Sequence, residues 1–493
     1  MAQHLPVLQV IIPLMAAPIC LFLKRGNLCW AWATLVTWCA FVISLVLLND
    51  VLDNGTIIYE IGDWAAPWGI EYRVDLISAF ILTIVSAIGS ITAPYMARSV
   101  AKEIPEERQY LFYLMYLLCL AGLLGIAVTG DAFNLFVFLE ISSLSSYVLI
   151  SFGKDRRALT ASFRYLVMGT LGATFYIIGV GLMYMMTGTL NIADMSTLLP
   201  AVADTPTILA ALAFLTVGLC LKLALFPLHL WLPNAYTYAP SAVTVFLAST
   251  ATKVAVYALI RVYFTIFGEV DIVDASAIQL LWIILAVAGM FVGSIVAIYQ
   301  TNIKRMLAYS SVAQVGYMVL GLSFASVTGV AAGIVHVFNH AIMKGALFMA
   351  MGCIVYCIGS CRITDMAGLG KRMPFTMAAF VGGGLSIIGL PLTVGFISKW
   401  YLIQAALDEG MWFIAVLIVA SSLLAVIYIW RVVEVAYFNP TPPGTDTAVR
   451  EAPLPMLIPM WLLIAASVYF GIDATTTMDI ALDAADFLLG GRS

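Results

Sequence analysis

The strongest constraint on the fold is a succession of apolar runs of about 20 residues, separated by short polar links. An α-helix of that length spans the ~30 Å hydrocarbon core of a bilayer. The sequence therefore predicts an all-α polytopic membrane protein with about fourteen transmembrane helices. The runs are centred near residues 14, 39, 86, 119, 140, 175, 216, 253, 288, 314, 343, 391, 424 and 463.

The composition excludes several other classes of protein. Only 10% of the 493 residues are charged, whereas about 25% are charged in soluble proteins. The links between the apolar runs are too short for a soluble catalytic domain. A formal net charge of -4, with no basic tract, gives no indication of a nucleic-acid partner.

The eight cysteines give no CxxC pair, and no flavin, iron–sulfur or haem ligand set is present. Cys353, Cys357 and Cys361 recur every four residues and so line one helix stripe. A soft-metal site is conceivable there, but packing of small buried residues is the preferred interpretation. We therefore expect no cofactor, no metal and no disulfide.

The basic residues of the links predict the orientation of the chain. They are concentrated in the links that follow odd-numbered helices, whereas the other links are mainly acidic. Because cytoplasmic links carry the excess of lysine and arginine, both termini are expected outside. The basic set comprises Lys24, Arg25, Arg98, Lys102, Arg108, Lys154, Arg156, Arg157, Lys304, Arg305, Arg362, Lys371, Arg372, Arg431 and Arg450.

Two of the predicted helices contain a proline close to a lysine. The seventh breaks at Pro227, just after Lys222, and the twelfth breaks at Pro391, just before Lys399. Interrupted helices at corresponding places in two halves are typical of inverted repeats with central ion sites. Coincidence is the alternative, because proline is common in membrane helices. The sequence predicts four segments: 1–108 with helices 1–3, 109–267 and 268–438 as inverted five-helix repeats, and 439–493 with a loop, helix 14 and a tail.

Four of the nine lysines lie inside predicted spans, and so does one glutamate, Glu140. An ammonium group at bilayer depth costs at least ~2.5 kcal/mol, so such residues usually bind ions, relay protons or form ion pairs. From a helix start near Asp131, Glu140 would lie roughly 13 Å deep, and from a start at Ser241, Lys253 would lie about 18 Å deep. These depths predict one shared layer. The four lysines are Lys222, Lys253, Lys344 and Lys399.

The chemistry of this layer suits proton transfer. Burial favours the neutral form of a lysine, and a nearby carboxylate restores the charged form. Neighbouring lysines oppose each other's charging, so a proton gained at one end of a row favours loss at the other. His336 and His340 share a helix face with Lys344, and histidine titrates nearest physiological pH. The candidate site comprises Glu140, Lys222, Lys253, His336, His340, Lys344 and Lys399.

Structural interpretations of the same residues remain open. Glu140 and Lys222 could form a static ion pair. Lys253 and Lys399 could extend to the membrane surface, and the histidines could be packing residues. His229, at the first break, is equally suited to capping free carbonyls or gating water. Asp131 and Asn134 are expected to start a helix. The nearby serines could hydrate the Glu140 site or allow close helix packing, and packing is the preferred interpretation; they are Ser142, Ser143, Ser145 and Ser146.

Five ordered motifs resemble the antiporter-like subunits shared by respiratory complex I and the multiple-resistance-and-pH (Mrp) cation/proton antiporters. The resemblance covers about residues 110 to 435. The motifs are KLALFPLHLWLPNAYTYAPSAV, STATKVAVYALIRVY, TNIKRMLAYSSVAQVGYM, HAIMKGALFMAMG and GLPLTVGFISKW.

This resemblance implies fourteen helices, two inverted five-helix repeats and a central hydrophilic axis. The family's functional positions match Glu140, Lys222, Lys253, Lys344 with its histidines, and Lys399. It implies a proton-translocating subunit of a multisubunit Na⁺/proton antiporter, acting with other Mrp subunits in a bacterial inner membrane.

Within the family the sequence most resembles the D subunits of Mrp antiporters. Lys399 differs from the glutamate typical of the middle complex I member. Tyr236 stands where complex I members usually carry histidine, which argues against a proton role at that position. The alternatives are a pumping subunit of a complex I-like or membrane hydrogenase redox complex, and a self-contained solute carrier or scaffold.

Overall fold

The structure is a computed structural model that describes residues 4–270, 276–441 and 450–490. Within these ranges, thirteen helical segments are long and apolar enough to cross a membrane. The prediction of an all-α polytopic membrane protein is confirmed. In chain order the helices are α1 (Leu5–Leu23), α2 (Gly26–Asn54), α3 (Leu76–Glu103), α4 (Glu106–Val128), α5 (Ala132–Ser151), α6 (Arg157–Thr187), α7 (Ile192–Leu198), α8 (Pro206–Leu223), α9 (Trp231–Tyr238), α10 (Ser241–Ile260), α11 (Ser276–Ile298), α12 (Ile303–Ser323), α13 (Val327–Ile358), α14 (Leu369–Arg372), α15 (Pro374–Ile388), α16 (Val394–Asp408), α17 (Trp412–Phe438), α18 (Leu454–Ile472) and α19 (Thr475–Leu488).

Both predicted helix breaks are present. α8 ends at Leu223, where Ala224 adopts a left-handed conformation, and the chain turns before α9 begins. The run centred near residue 391 is divided into α15 and α16, which are too short to be counted among the thirteen spans. Proline has no N–H to donate and clashes with the carbonyl one turn earlier, so neither helix continues through its proline.

Two elements were not predicted. A two-stranded antiparallel ribbon, β1 (Ile57–Glu60) and β2 (Glu71–Val74), joins α2 to α3. After α18 the chain forms α19, which packs against α13 and α3 through Met478, Ala481 and Ala485. This short apolar stripe alternates with aspartates, and it contains no run long enough to be recognised as a span.

The helices differ sharply in burial. The most apolar windows of α10 and α12 are 94% buried inside the chain, whereas those of α2 and α17 are 33% buried. The first pair therefore lies in the interior and the second pair at the periphery. Polar side chains on the interior helices point into the chain rather than toward lipid, which positions Lys253 of α10 and Lys344 of α13 centrally.

Two parts of the chain repeat the same hydrogen-bond pattern. Ala132 N–H donates to Leu190 O (2.9 Å), and Ile303 N–H donates to Cys361 O (2.8 Å). The return bonds are Ile192 to Gly130 (2.8 Å) and Ile363 to Thr301 (2.9 Å). Each residue of the two bonds that involve Thr301, Ile303, Cys361 and Ile363 follows its counterpart in the other two bonds by the same number of positions.

The helix starts beside these bonds also correspond. The side chain of Asp131 accepts from the Asn134 backbone N–H at the start of α5 (2.6 Å), as expected for a helix cap. Asn302 accepts from the Arg305 N–H in the same way at the start of α12 (3.1 Å). This correspondence supports our proposal that 109–267 and 268–438 are repeats.

We predict that Gly218 is required for the close crossing of α6 and α8. A Cβ on Gly218 would lie 2.7 Å from the carbonyl oxygen of Gly172 and 2.8 Å from the backbone nitrogen of Tyr176. Gly218→Val should lower the free energy of unfolding by about 1–3 kcal/mol, as overpacking does. The measurement is thermal unfolding of the purified protein in detergent.

Gly181→Val is the matched control, because Gly181 lies on α6 with no heavy atom within 4 Å of the added Cβ. Equal unfolding temperatures for the two variants would contradict the predicted crossing.

Candidate functional site

The first part of the site is an ion pair between α8 and α5. Lys222 Nζ donates to Glu140 Oε1 at 3.0 Å and to Ser143 Oγ at 2.7 Å. Lys222 lies in the last turn of α8, just before the break. The structure thus brings Glu140 and Lys222 together as an ion pair.

The expectation that the nearby serines serve packing is wrong for Ser143, which contacts the lysine directly. It agrees with the structure for the other three, whose hydroxyls donate to carbonyls within α5. Gly122 of α4 packs closely against Ser142. The helical period places Ser143 near the face of Glu140, one turn earlier, and this signal could have identified it.

Lys253, Lys344 and Lys399 have no carboxylate partner within 4.0 Å among residues 4–270, 276–441 and 450–490. Lys253 is fully buried, and its Nζ donates to the carbonyl of Ala248 and to Thr252 Oγ1 (3.3 Å). A protonated lysine here has only dipoles to stabilise it. An uncompensated buried charge at this position is costly.

Lys344 and the two histidines line the face of α13 that meets α12 and α16. Lys344 Nζ donates to Leu307 O (2.7 Å) and to the hydroxyl of Ser310. The rings of His336 and His340 stack with centroids 6.3 Å apart. Neither ring nitrogen of His340 has a hydrogen-bond partner in the described part of the chain.

His336 is held between two side chains. Its Nε2 lies 3.0 Å from Gln314 Oε1, and its Nδ1 lies 2.8 Å from Ser398 Oγ. With the amide oxygen facing Nε2, that nitrogen donates, and Nδ1 either accepts from the serine hydroxyl or donates to it. Ser398 directly precedes Lys399, so this hydrogen bond joins the α13 face to the second broken helix.

Lys399 uses the free carbonyls at the end of α15. Its Nζ donates to Ile387 O (2.8 Å) and Ile388 O (3.0 Å), and it lies 4.9 Å from the centre of the Tyr317 ring. The last carbonyls of a helix have no intrahelical donor and carry partial negative charge. The break at Pro391 therefore creates a cation site.

The buried groups from Lys253 to Lys399 form one row of electrostatic neighbours. Both Lys253 and Lys399 are within electrostatic range of His336, and Lys253 is also within range of His340 and Lys344. Lys222 and Lys253 do not contact each other. Beside Lys222, a cavity of about 20 Å³ is lined by Lys222, Ser143 and two residues of α10. It has room for about one water molecule.

Sequence reasoning missed several members of the site. Gln314, Ser310 and Tyr317 are polar residues on the interior helix α12, and polar residues in an apolar span are the signal that could have found them. Ser398 could have been found from its position beside Lys399.

Arg261 is a buried residue that the sequence analysis did not single out. Its Nη2 donates to Asp75 Oδ1 and to Ser78 Oγ (2.7 Å), and its Nε donates to Tyr257 Oη (2.9 Å). Burial opposes ionisation of Asp75, yet the Arg261 charge lowers the pKa of this carboxyl, which lies just before α3, below its usual value. The ion pair joins the start of α3 to the end of α10.

The remaining predicted residues have local roles. His229 lies in the turn after α8 and stacks on Phe226 at 5.5 Å, and its Nδ1 has no partner among the residues the structure describes. Tyr236 Oη donates to Leu247 O at 3.2 Å. Cys353, Cys357 and Cys361 are free, and the described ranges contain no group of three or more acidic, histidine or cysteine side chains placed to hold a metal.

The fold and site define a class of multi-pass membrane protein with a buried row of ionisable side chains across two broken helices. Residues 129–425 match the family described as NADH:quinone oxidoreductase/Mrp antiporter, TM. The chain belongs to this family, and the resemblance predicted from the five motifs is confirmed.

Relatives from both branches of the family match nearly the whole chain. It is 43% identical to the N subunit of the NADH-quinone oxidoreductase of Desulforudis audaxviator over 486 residues, covering 96% of each chain. It is 31% identical to the D subunit of the Na⁺/H⁺ antiporter of Alkalihalophilus pseudofirmus, covering 99% of this chain and 97% of that one.

Two solved structures share the fold. A chain of the Mrp complex from Dietzia sp. superposes with a TM-score of 0.90 at 26% identity, covering 100% of this chain and 98% of that one. A chain of the archaeal membrane-bound sulfane sulfur reductase gives 0.88 at 31% identity, covering 99% and 98%.

We predict that Asp75 stabilises the fold by compensating Arg261. Asp75→Ala leaves a buried guanidinium unpaired and should lower the free energy of unfolding by about 3–5 kcal/mol. Adding Arg261→Met should restore most of this loss, because the uncompensated charge is removed. Thermal unfolding of the single and double variants measures both effects.

Asp155→Ala is the control, because its ion pair with Arg157 is exposed and should change stability little. A double variant no more stable than Asp75→Ala alone would show that charge compensation is not the reason for the loss. The pKa of Asp75 in the folded state is lowered. The contribution of the ion pair to stability is therefore fully present above the ordinary carboxyl pKa near 4, and it is lost as the pH falls through the lowered pKa.

Proposed function

We propose that the chain is the proton-translocating subunit of a multisubunit Na⁺/H⁺ antiporter in a bacterial inner membrane, with both termini outside. The observation that carries this proposal is the row of buried lysines that starts at an ion pair and continues through groups without carboxylate partners. A structural ion pair would need only Glu140 and Lys222. Three further buried lysines and two stacked histidines serve no structural purpose that apolar residues would not serve better.

The ion pair is the end of the row at which the distance between two charged groups can change. While Glu140 lies 3.0 Å from Lys222, the lysine is held in its charged form. When the two separate, Lys222 loses its compensating charge, and its proton can pass through the adjacent cavity toward Lys253. Protonation of Lys253 then disfavours protonation of His340 and Lys344 beside it, because like charges repel in a medium of low dielectric.

The histidines connect the centre of the row to its far end. A neutral His336 that accepts from Ser398 can take up a proton at Nδ1 and release one at Nε2, or the reverse. Ser398 lies next to Lys399, whose ammonium rests on two backbone carbonyls and a tyrosine ring. We propose that protons are taken up near Glu140 and Lys222, cross by Lys253 and the His336/Lys344 face, and are released at Lys399.

The partial exposure of Glu140 supports the presence of partner subunits. Its side chain is 22% exposed at the side of the chain, where α5 also presents apolar side chains. A carboxylate at that depth is not stable against hydrocarbon, so we propose that another subunit covers this face. Inward movement of one charge at 100 mV releases ~2.3 kcal/mol, which can drive cation export in a neighbouring subunit. The exposed apolar residues are Phe133, Val137, Leu144 and Val148.

A second candidate function is favoured by a specific observation. The 43% identical relative is named as a subunit of a NADH-quinone oxidoreductase, and one structural relative belongs to a sulfane sulfur reductase. In such a complex the same row would pump protons, driven by electron transfer in other subunits. The neighbouring genes separate the two proposals: small membrane subunits without redox subunits favour the antiporter.

We predict that Glu140→Gln or Lys399→Ala abolishes Na⁺/H⁺ antiport while the complex still assembles. The first change removes the group that holds Lys222 charged, and the second removes the terminal proton carrier. The measurement is dequenching of a pH-sensitive dye after Na⁺ addition to everted vesicles, with assembly checked by native electrophoresis.

Glu107→Gln and Lys371→Ala are the controls, since both residues are exposed and outside the row. Near-normal antiport in both test variants would rule out the proposed route. Absence of antiport in the wild-type complex, together with quinone- or sulfur-linked proton pumping, would select the second function.

A further inference from the structure

A basic cavity lies outside the row, on the side of the chain that is predicted to be cytoplasmic. Its volume is about 750 Å³, within the range of roughly 300–1,000 Å³ that is usual for small-molecule sites. Residues at the start of α2, the end of α3, the start of α4 and the end of α5 line it. Because four membrane spans end around this cavity, it lies at the level of the lipid headgroups.

Three basic side chains from different elements line the cavity without an acidic partner. Lys102 belongs to the last turn of α3, Arg108 is the third residue of α4, and Lys154 lies in the link between α5 and α6. In the part of the chain that the structure describes, no carboxylate oxygen lies within 4.0 Å of their charged groups. Lys102 Nζ lies 5.7 Å from the centre of the Tyr356 ring, which leaves its charge uncancelled. All three residues are exposed, so an anion that enters the cavity can reach them.

The two carboxylates of the cavity wall have partners of their own. Glu103 accepts hydrogen bonds from Ser99 Oγ and from the Ser241 backbone N–H, each at 2.9 Å. Glu106 is the first residue of α4, where the free N–H groups of the helix stabilise a negative charge. The three cations therefore outnumber the carboxylates, and the cavity keeps a net positive charge.

An apolar stripe continues from the cavity toward the interior of the membrane. Leu111, Met115 and Leu118 follow Arg108 at helical spacing on one face of α4. Between Leu111 and Val128, all of which the structure describes, only these three residues are partly exposed, and the others are buried. The stripe is therefore the face that α4 leaves open to the hydrocarbon below Arg108.

We propose that the cavity binds the phosphodiester headgroup of an anionic phospholipid and that an acyl chain of this lipid lies along the α4 stripe. The guanidinium of Arg108 can bind two phosphate oxygens at once, and the two lysines add charge beside it. Anionic lipids are a component of the cytoplasmic leaflet, and basic pockets between spans bind their headgroups.

The apolar stripe favours a lipid over a free phosphate ion, because a free ion would use the cations and leave the stripe without a ligand. A bound lipid would hold the ends of α2, α3, α4 and α5 together at the membrane surface. This inference goes beyond the proposed function, since it does not depend on the ion that the chain transports or on the complex that drives it.

The test measures lipid binding to the purified complete complex. The complex is stripped of lipid in nonionic detergent and titrated separately with phosphatidylglycerol, phosphatidylcholine and inorganic phosphate, and bound ligand is measured by native mass spectrometry. We expect the wild type to bind one phosphatidylglycerol tightly for each copy of this chain, in preference to phosphatidylcholine. In the double variant Arg108→Gln/Lys154→Gln, the affinity for that lipid should fall about thirtyfold, or roughly fivefold for each cation removed.

The double variant Arg362→Gln/Lys371→Gln is the matched control, because it removes two exposed charges on the same predicted side but outside the cavity. It should bind phosphatidylglycerol as the wild type does, and melting temperatures report folding of both variants. Unchanged binding in Arg108→Gln/Lys154→Gln, or an equal loss in the control, would overturn the site. Displacement of the lipid by inorganic phosphate at similar concentration would assign the cavity to a free ion instead. A wild type without tightly bound phosphatidylglycerol, together with failed assembly of Arg108→Gln/Lys154→Gln, would assign it to an acidic segment of a partner subunit.

Discussion

The structure depends on the placement of ammonium groups where no water reaches them freely. A charged lysine in hydrocarbon is stable only when protein dipoles replace its hydration, and the broken helices supply those dipoles. Lys399 rests on the last carbonyls of α15, and Lys222 lies in the last turn of α8 with Glu140 and Ser143 as partners. A continuous helix would have used the α15 carbonyls internally, so the site of Lys399 requires the break.

The partners of the four lysines are graded along the row. One has a carboxylate, and the others have backbone carbonyls, hydroxyls or an aromatic ring. Such a gradient makes the charged form most stable at one end and more easily lost elsewhere, which a proton-conducting row needs. A row of strong ion pairs would trap the proton, and a row of isolated amines would never take one up. The histidines lie within this row, and His336 is held by hydrogen bonds to Gln314 and Ser398.

The family includes subunits named for redox complexes and subunits named for antiporters, and the same fold matches both. The row explains why this is possible. Proton movement along it requires only that some event changes the separation or hydration of its members, and the event can be electron transfer or cation movement in another subunit. In the proposed function the chain supplies the conducting element, and we propose that an external event reaches Glu140 through the exposed α5 face.

Local properties of the chain determined much of this protein. The length and period of the apolar runs specify the spans, Pro227 and Pro391 specify the breaks, and helix rise places Glu140 and Lys253 at one depth, because each depends only on neighbouring residues. The depth of a residue in the membrane determines neither the rotation of its helix nor the residues that its side chain contacts. Only the tertiary structure decided that Ser143 contacts Lys222, that Gln314 and Ser398 hold His336, that Arg261 pairs with Asp75, and that a small cavity lies beside Lys222. These contacts depend on how helices distant in sequence turn and cross, and no period within a single helix records that packing.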